Sequence, residues 1–336
     1  MKIIQITDTH LMPRGTELHG LNPCERLESC IASIKEFHAD AEMCIITGDL
    51  TDQGLRESYE DFREILQQLP MPFHPLIGNH DHRKIFSEVF PEVPLDEYGF
   101  VQQVLETPLG QFLLLDTVEH GKHWGSYCEK RGAWLRSQLE TAGSKAVYLF
   151  MHHPPFKIGI PSLDRISLRE DAQRIQQIVS NFSNIKHLLF GHVHRPISGS
   201  WHGIPFTTLR GTNHQVQLDL NAEDYLPYSH EPPAYCVIFL EPQQTTVHFH
   251  DYLDNSLYMK MPLTLTSTKL SFSKHLTKYA SSVRQRNETM SYAVGFALLS
   301  LLLSGVSDVI FKKYSGDVPF WFWTHLDFVS MVHCSI

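Results

Sequence analysis

The chain has 336 residues, 42% of them apolar, and a formal net charge of −9 at pH 7. That length suits one large domain with additions or two small domains. The acidic balance, with no long run of Lys or Arg, excludes a surface for nucleic-acid polymers, which needs clustered positive charge.

In chain order, residues 2–7 read as a first strand, since Ile3, Ile4 and Ile6 follow Met1-Lys2 directly. A secretory signal has a longer apolar core ending in small residues, so the catalytic part is expected in the cytoplasm. Residues 25–38 read as a helix, with Leu27, Ile31, Ile34 and Phe37 at helical spacing. A strand over 43–47, a helix over 56–69 and strands over 73–77 and 112–116 follow. Then come a helix over 132–142, a strand over 146–151, a helix over 168–181 and a strand over 186–190. Strands over 204–209, 235–240 and 245–250 close the series. Strands separated by helices, then hairpin-like strands, predict an α/β chain with a second sheet. The six cysteines, Cys24, Cys30, Cys44, Cys128, Cys236 and Cys334, form no C-x-x-C pair. They read as free thiols in a reducing compartment.

Polar residues with ligand chemistry sit just past the apolar runs. The segments are Asp8-Thr9-His10, Gly48-Asp49, Gly78-Asn79-His80-Asp81, His152-His153-Pro154-Pro155 and Gly191-His192-Val193-His194. Active sites of α/β proteins gather at the carboxyl ends of strands, so these loops are expected to meet at one edge. Imidazole, carboxylate and amide oxygen together suit iron, manganese, zinc or cobalt. Asp8, His10, Asp49, Asn79, His152, His192 and His194 exceed what one tetrahedral ion needs. Two ions sharing Asp49 fit that number. The glycines before Asp49, Asn79 and His192 allow sharp turns close to the metals.

In these motifs the chain resembles the calcineurin-like metallophosphoesterases, and within them the class III cyclic nucleotide phosphodiesterases and bacterial glycerophosphodiesterases. The resemblance covers roughly residues 1–255 and includes Ile6-Thr7-Asp8-Thr9-His10 and Gly211-Thr212-Asn213-His214-Gln215-Val216. It implies a four-layer α/β/β/α sandwich of two mixed sheets. It also implies one metal on Asp8, His10 and His194, a second on Asn79, His152 and His192, and Asp49 bridging. A metal-bridging hydroxide would attack phosphorus, with His80 at the phosphate or protonating the leaving oxygen and Asp81 orienting His80. Substrate would contact His10, Asp49, Asn79, His80, His194 and His214, and His153 would either support a ligand from behind or be structural. The substrate implied is a small phosphodiester, a 3′,5′-cyclic nucleotide such as cyclic AMP or a glycerophosphodiester. Two alternatives stay open: a phosphomonoesterase on the same scaffold, and a membrane-tethered binding protein with a vestigial site.

The remaining histidines His19, His38, His74, His120, His123, His202 and His230 lack such motifs and read as surface or core residues. Asp116 reads as a turn residue. Trp124, Tyr127 and Trp134 suit a pocket wall or the core.

On this reading residues 1–262 form the catalytic domain, 263–288 a linker and 289–336 a hydrophobic helical tail. Residues 289–307 carry no charge and as a helix would span about 28 Å, close to the hydrocarbon thickness. Two readings are therefore open: a membrane helix over 289–311, or a buried or interface helix docking on the domain or a second subunit. Lys312 and Lys313 would then emerge outside, against the positive-inside tendency. Ala293 to Tyr314 also weakly resembles the first membrane helix of drug/metabolite transporters, as a fused and truncated foreign segment would.

Overall fold

The computed structural model describes residues 1–168, 171–254 and 256. The expected linker, tail and membrane helix lie outside the described residues. Among those described, no helix is long and apolar enough to cross a membrane.

The elements run β1 (Lys2–Ile6), α1 (Pro23–Phe37), β2 (Met43–Thr47), α2 (Arg56–Leu66), β3 (Phe73–Leu76), α3 (Arg83–Val89) and β4 (Gln103–Thr107). There follow β5 (Gly110–Leu115), α4 (Glu129–Ala142), β6 (Val147–Met151), α5 (Pro161–Asp164), α6 (Ala172–Val179) and β7 (Ile185–Phe190). The series ends with β8 (Ser198–Trp201), β9 (Ile204–Thr207), β10 (Gln215–Val216), β11 (Tyr228–Ser229), β12 (Tyr235–Glu241) and β13 (Gln244–His250). Two larger sheets result, in the orders β13-β12-β1-β2-β3 and β4-β5-β6-β7-β9-β8, together with the small ladder β10-β11. Both large sheets are mixed. The pairs β1–β2 and β2–β3 are parallel and β12 is antiparallel to β1 and β13. In the other sheet β5, β6, β7 and β9 run parallel, with β4 and β8 antiparallel at the edges.

Strand alternation sorts the apolar side chains into three main clusters. Ile4, Ile6, Cys44 and Ile46 pack against Leu27, Ile31 and Ile34 of α1 and Tyr59, Phe62 and Ile65 of α2. Their neighbours Ile3 and Ile45 point the other way, onto Phe112, Leu114, Tyr148 and Phe150 of the second sheet. Leu113, Leu115, Leu149 and Met151 then meet Leu135 and Leu139 of α4 and Ile175 and Ile178 of α6. Each such side chain contributes roughly 1.5–3 kcal/mol by leaving water.

Helix α1 begins two residues earlier than the apolar spacing predicts. Asn22 caps it by accepting from the Cys24 and Glu25 amides at 3.1 and 3.3 Å, and Pro23 fills the first turn, where no amide is needed. Cys24, Cys30, Cys44, Cys128 and Cys236 are free thiols.

Candidate metal centre

Parallel strands deliver the side chains. Asp8 and His10 follow β1, Asp49 follows β2 and Asn79 follows β3, all from the first sheet. From the second, His152 follows β6, and His192 and His194 follow β7.

The backbone there is strained. Asp8, His10, Asp49, His192 and His194 all lie in the left-handed region, with φ of 50°, 45°, 48°, 69° and 48°. Each such conformation costs about 1–3 kcal/mol unless its surroundings enforce it. Close packing does enforce it: at Gly48 (φ 95°) a methyl group would lie 2.5 Å from His152 Nδ1. At Gly78 it would collide with the Asp49 carboxylate.

Three imidazoles have Nδ1 committed. His152 Nδ1 donates to the Thr47 carbonyl at 2.8 Å, His194 Nδ1 to the His214 carbonyl at 2.8 Å, and His10 Nδ1 to Asp52 Oδ1 at 3.1 Å. In the neutral rings each Nε2 is thereby left as a lone pair, and these atoms face other acceptors. His10 Nε2 and His194 Nε2 are 3.2 Å apart. His152 Nε2 is 3.2 Å from Asn79 Oδ1 and 3.3 Å from Asp49 Oδ2. His194 Nε2 is 3.4 Å from Asp8 Oδ1. Acceptors this close repel unless positive charge lies among them. His192 Nε2 is buried and has no hydrogen-bond partner among the described residues. The donor set therefore fits metal ions. Groups whose ligand atoms lie within 4.8 Å of one another include Asp8, Asp49 and His152; His10, Asp49 and His80; His10, His194 and His214; and His152, His153 and His192.

Electrostatics agree with the geometry. Burial pushes the Asp49 carboxyl up, but His152, His80 and His10 outweigh it and hold Asp49 well below the usual carboxylate range. Burial works against a charged His152, yet Asp49 and Asp8 lift it to about 9, so positive charge is favoured at its Nε2, carried by a proton when no metal is bound. Burial, then neighbouring His152, pushes His192 down to about 3. Anionic oxygens thus sit at the centre of a ring of imidazoles.

His80 is half-buried at this centre, its ring 4.7 Å from that of His10. Its Nδ1 donates to the Asp52 carbonyl at 2.8 Å, which leaves Nε2 for proton transfer. Asp81 does not take the orienting position expected of it. Its carboxylate instead accepts from the amides of Gly78, Leu50 and Thr51 at 2.8, 3.0 and 3.1 Å, and from the Tyr59 hydroxyl at 2.9 Å. Burial, then the charge of Asp49, raises Asp81 to about 6. Asp81 ties the Asp49 loop to the Asn79 loop, and Asp52 holds His80.

Asp52 was not among the residues expected from sequence. It holds both His10 and His80, and its only sequence signal is its place three residues after Asp49. His153 packs its ring 4.6 Å from that of His192, with Nδ1 2.8 Å from Thr117 Oγ1. His214 is buried, 4.9 Å from the His10 ring and 4.6 Å from that of His194. Tyr127 belongs to the core, bonded to Gln102 Oε1 at 2.9 Å. Asp116, expected to be a turn residue, is a buried anchor for Arg83, with 2.7 and 2.9 Å bonds.

Comparison with known proteins places this geometry. The family model for calcineurin-like phosphoesterases matches residues 1–196. A protein of Rhodopseudomonas palustris named as a probable cyclic nucleotide phosphodiesterase is 40% identical over 252 residues, covering 74% of this chain and 91% of its own. A probable glycerophosphodiester phosphodiesterase of Arcobacter nitrofigilis is 32% identical over 251 residues, covering 74% and 92%. The 3′,5′-cyclic adenosine monophosphate phosphodiesterase of Escherichia coli K12 is 29% identical over 204 residues, covering 60% and 73%. Among solved structures, a dimetal phosphatase from Danio rerio superposes with a TM-score of 0.59 at 13% identity, covering 75% of this chain and 96% of its own. That likeness speaks to the fold. The chain belongs to the calcineurin-like phosphoesterase family.

Proposed function

We propose that this chain is a dinuclear-metal phosphodiesterase acting on a small phosphodiester, a 3′,5′-cyclic nucleotide such as cyclic AMP or a glycerophosphodiester. One observation carries the reading: imidazole, carboxylate and amide acceptors from two sheets face one another at 3.2–3.4 Å with their Nδ1 atoms committed elsewhere. The relatives' names favour a diester over a monoester. The three apolar clusters support a four-layer order of helices, sheet, sheet and helices.

On this reading Asp8, His10 and His194 would hold one ion, and Asn79, His152 and His192 the other, with Asp49 available to both. Iron, manganese, zinc and cobalt suit these donors. When bound, the ions supply Lewis acidity toward the phosphoryl oxygens and acidify water. His10, Asp49, Asn79, His194 and His214 surround the phosphate. His80, held at Nδ1 by the Asp52 carbonyl, delivers the Nε2 proton to the departing ester oxygen. The catalytic domain spans residues 1–262, with 263–288 as linker and 289–336 as tail. The tail is a membrane helix or an interface helix, and fractionation decides between them: full-length protein soluble without detergent excludes the span.

The test is turnover of bis(p-nitrophenyl) phosphate against p-nitrophenyl phosphate by protein loaded with iron or manganese, with metal content measured in parallel. Diester preference with about two ions per chain is expected. Clear monoester preference overturns the diester reading, and fewer than about one ion per chain favours a binding protein over an enzyme.

A further inference from the structure

The ring contacts extend past the ligand set. Besides touching His10 and His194, the His214 ring is 4.6 Å from that of His19, edge-on, and 4.9 Å from that of Tyr228. His19 and Tyr228 lie against each other at 4.3 Å, tilted by 32°. Both side chains are exposed, Tyr228 at 49%.

Short, well-fixed segments hold this pair. His19 and Gly20 have φ of 54° and 75°, in a two-residue turn closed by reciprocal Leu18–Leu21 backbone bonds of 2.8 and 3.1 Å. Positive φ at both central residues is the signature of a type I′ turn. His230 Nε2 donates to the His19 carbonyl at 2.9 Å. Tyr228 pairs with Val216 in the β10–β11 ladder, just beyond His214.

We propose that His19 and Tyr228 form an aromatic wall on which the nucleobase of a cyclic nucleotide stacks, so that the site selects base-bearing diesters over aliphatic ones. The inference rests on the phosphodiesterase reading and narrows its substrate class. His214 separates the wall from the proposed ligands His10 and His194, as the ribose separates a cyclic phosphate from its base. A glycerol ester has no π face and gains nothing from the paired rings. A base gains stacking whatever its edge pattern, so the wall accepts purines and pyrimidines alike.

The test measures binding by calorimetry on the metal-loaded full-length protein. The probes are the slowly hydrolysed phosphorothioate of 3′,5′-cyclic AMP and the matching 3′,5′-cyclic ribose phosphorothioate without a base. The wild type is expected to bind the base-bearing probe at least about tenfold more tightly. Tyr228→Ala and His19→Asn, which tolerates the left-handed backbone, lose most of that preference, whereas Tyr228→Phe keeps it. A wild type without preference, or one that binds neither probe, overturns the proposal, as does an undiminished preference in the alanine and asparagine variants. Failure to hydrolyse any phosphodiester while the preference persists overturns the phosphodiesterase reading and leaves the wall standing.

Discussion

At Asp49 one carboxylate serves two loops: Oδ2 lies 3.3 Å from His152 Nε2 and Oδ1 accepts the His80 amide at 2.8 Å. Asp49→Ala removes the proposed bridge, so hydrolysis should fall at least about 1,000-fold and bound metal below two ions per chain. Turnover assays with elemental analysis check both, and retained hydrolysis would overturn the assignment. Asp81 makes a different prediction, because it holds loops together. Asp81→Ala strands three buried amides and should cost about 3 kcal/mol or more in urea unfolding, with a smaller loss for Asp81→Asn. Equal stability of Asp81→Ala and wild type would show that another group satisfies those amides. At this scale the sequence singled out Asp8, His10, Asp49, Asn79, His152, His192 and His194, because each stands just after an apolar run inside a motif, and the structure brings them near one another. Asp52 was not legible, since it acts on His10 and His80 only through the folded loop. Nor was the place of His19, whose ring partner Tyr228 is brought near solely by tertiary structure.

Among the elements, strands with apolar runs or alternation were legible, whereas the edge strand β4 and the short helix α3 were not. The expected strand at 43–47 coincides with β2. Strand β4 escaped because Gln103, Glu106 and Thr107 suit an edge strand paired only with β5. Helix α3 escaped because its seven residues are too short to show a period. Strand β7 carries a titrating reporter of stability. His187 is buried against Thr207 Oγ1 of β9 at 2.8 Å, and burial lowers it from 6.5 to about 4. Between those values the unfolded chain binds the proton that the folded chain refuses. The contribution is therefore complete above pH 6.5 and lost as the pH falls through about 4, a change of up to roughly 3 kcal/mol. His187→Gln keeps a polar partner for Thr207 without titrating, so denaturation midpoints measured across this range should fall less steeply than in the wild type. Parallel pH profiles would exclude His187 as the source.

At the scale of the whole molecule the proposed ligands are shared between sheets: Asp8, His10, Asp49 and Asn79 come from one, and His152, His192 and His194 from the other. The cluster joining Ile3 and Ile45 to Phe112 and Phe150 keeps those strand ends in register. All seven residues lie in the unit Met1–Leu257. A chain ending after residue 262 should accordingly hydrolyse diesters within about twofold of the full-length rate. A loss of tenfold or more in side-by-side kinetics would assign the remaining residues a part in the site.

The left-handed backbones at Asp8, His10, Asp49, His192 and His194 carry an evolutionary consequence. Asp, Asn and His are the side-chain-bearing residues that tolerate this conformation best. The proposed ligand positions therefore already hold the types the backbone accepts. Exchange of Asp for Asn, a single-nucleotide change, removes a charge from the centre without disturbing the loop. Inactive descendants with an intact fold are thus one step away, and natural selection on hydrolysis, more than selection on folding, must guard these positions.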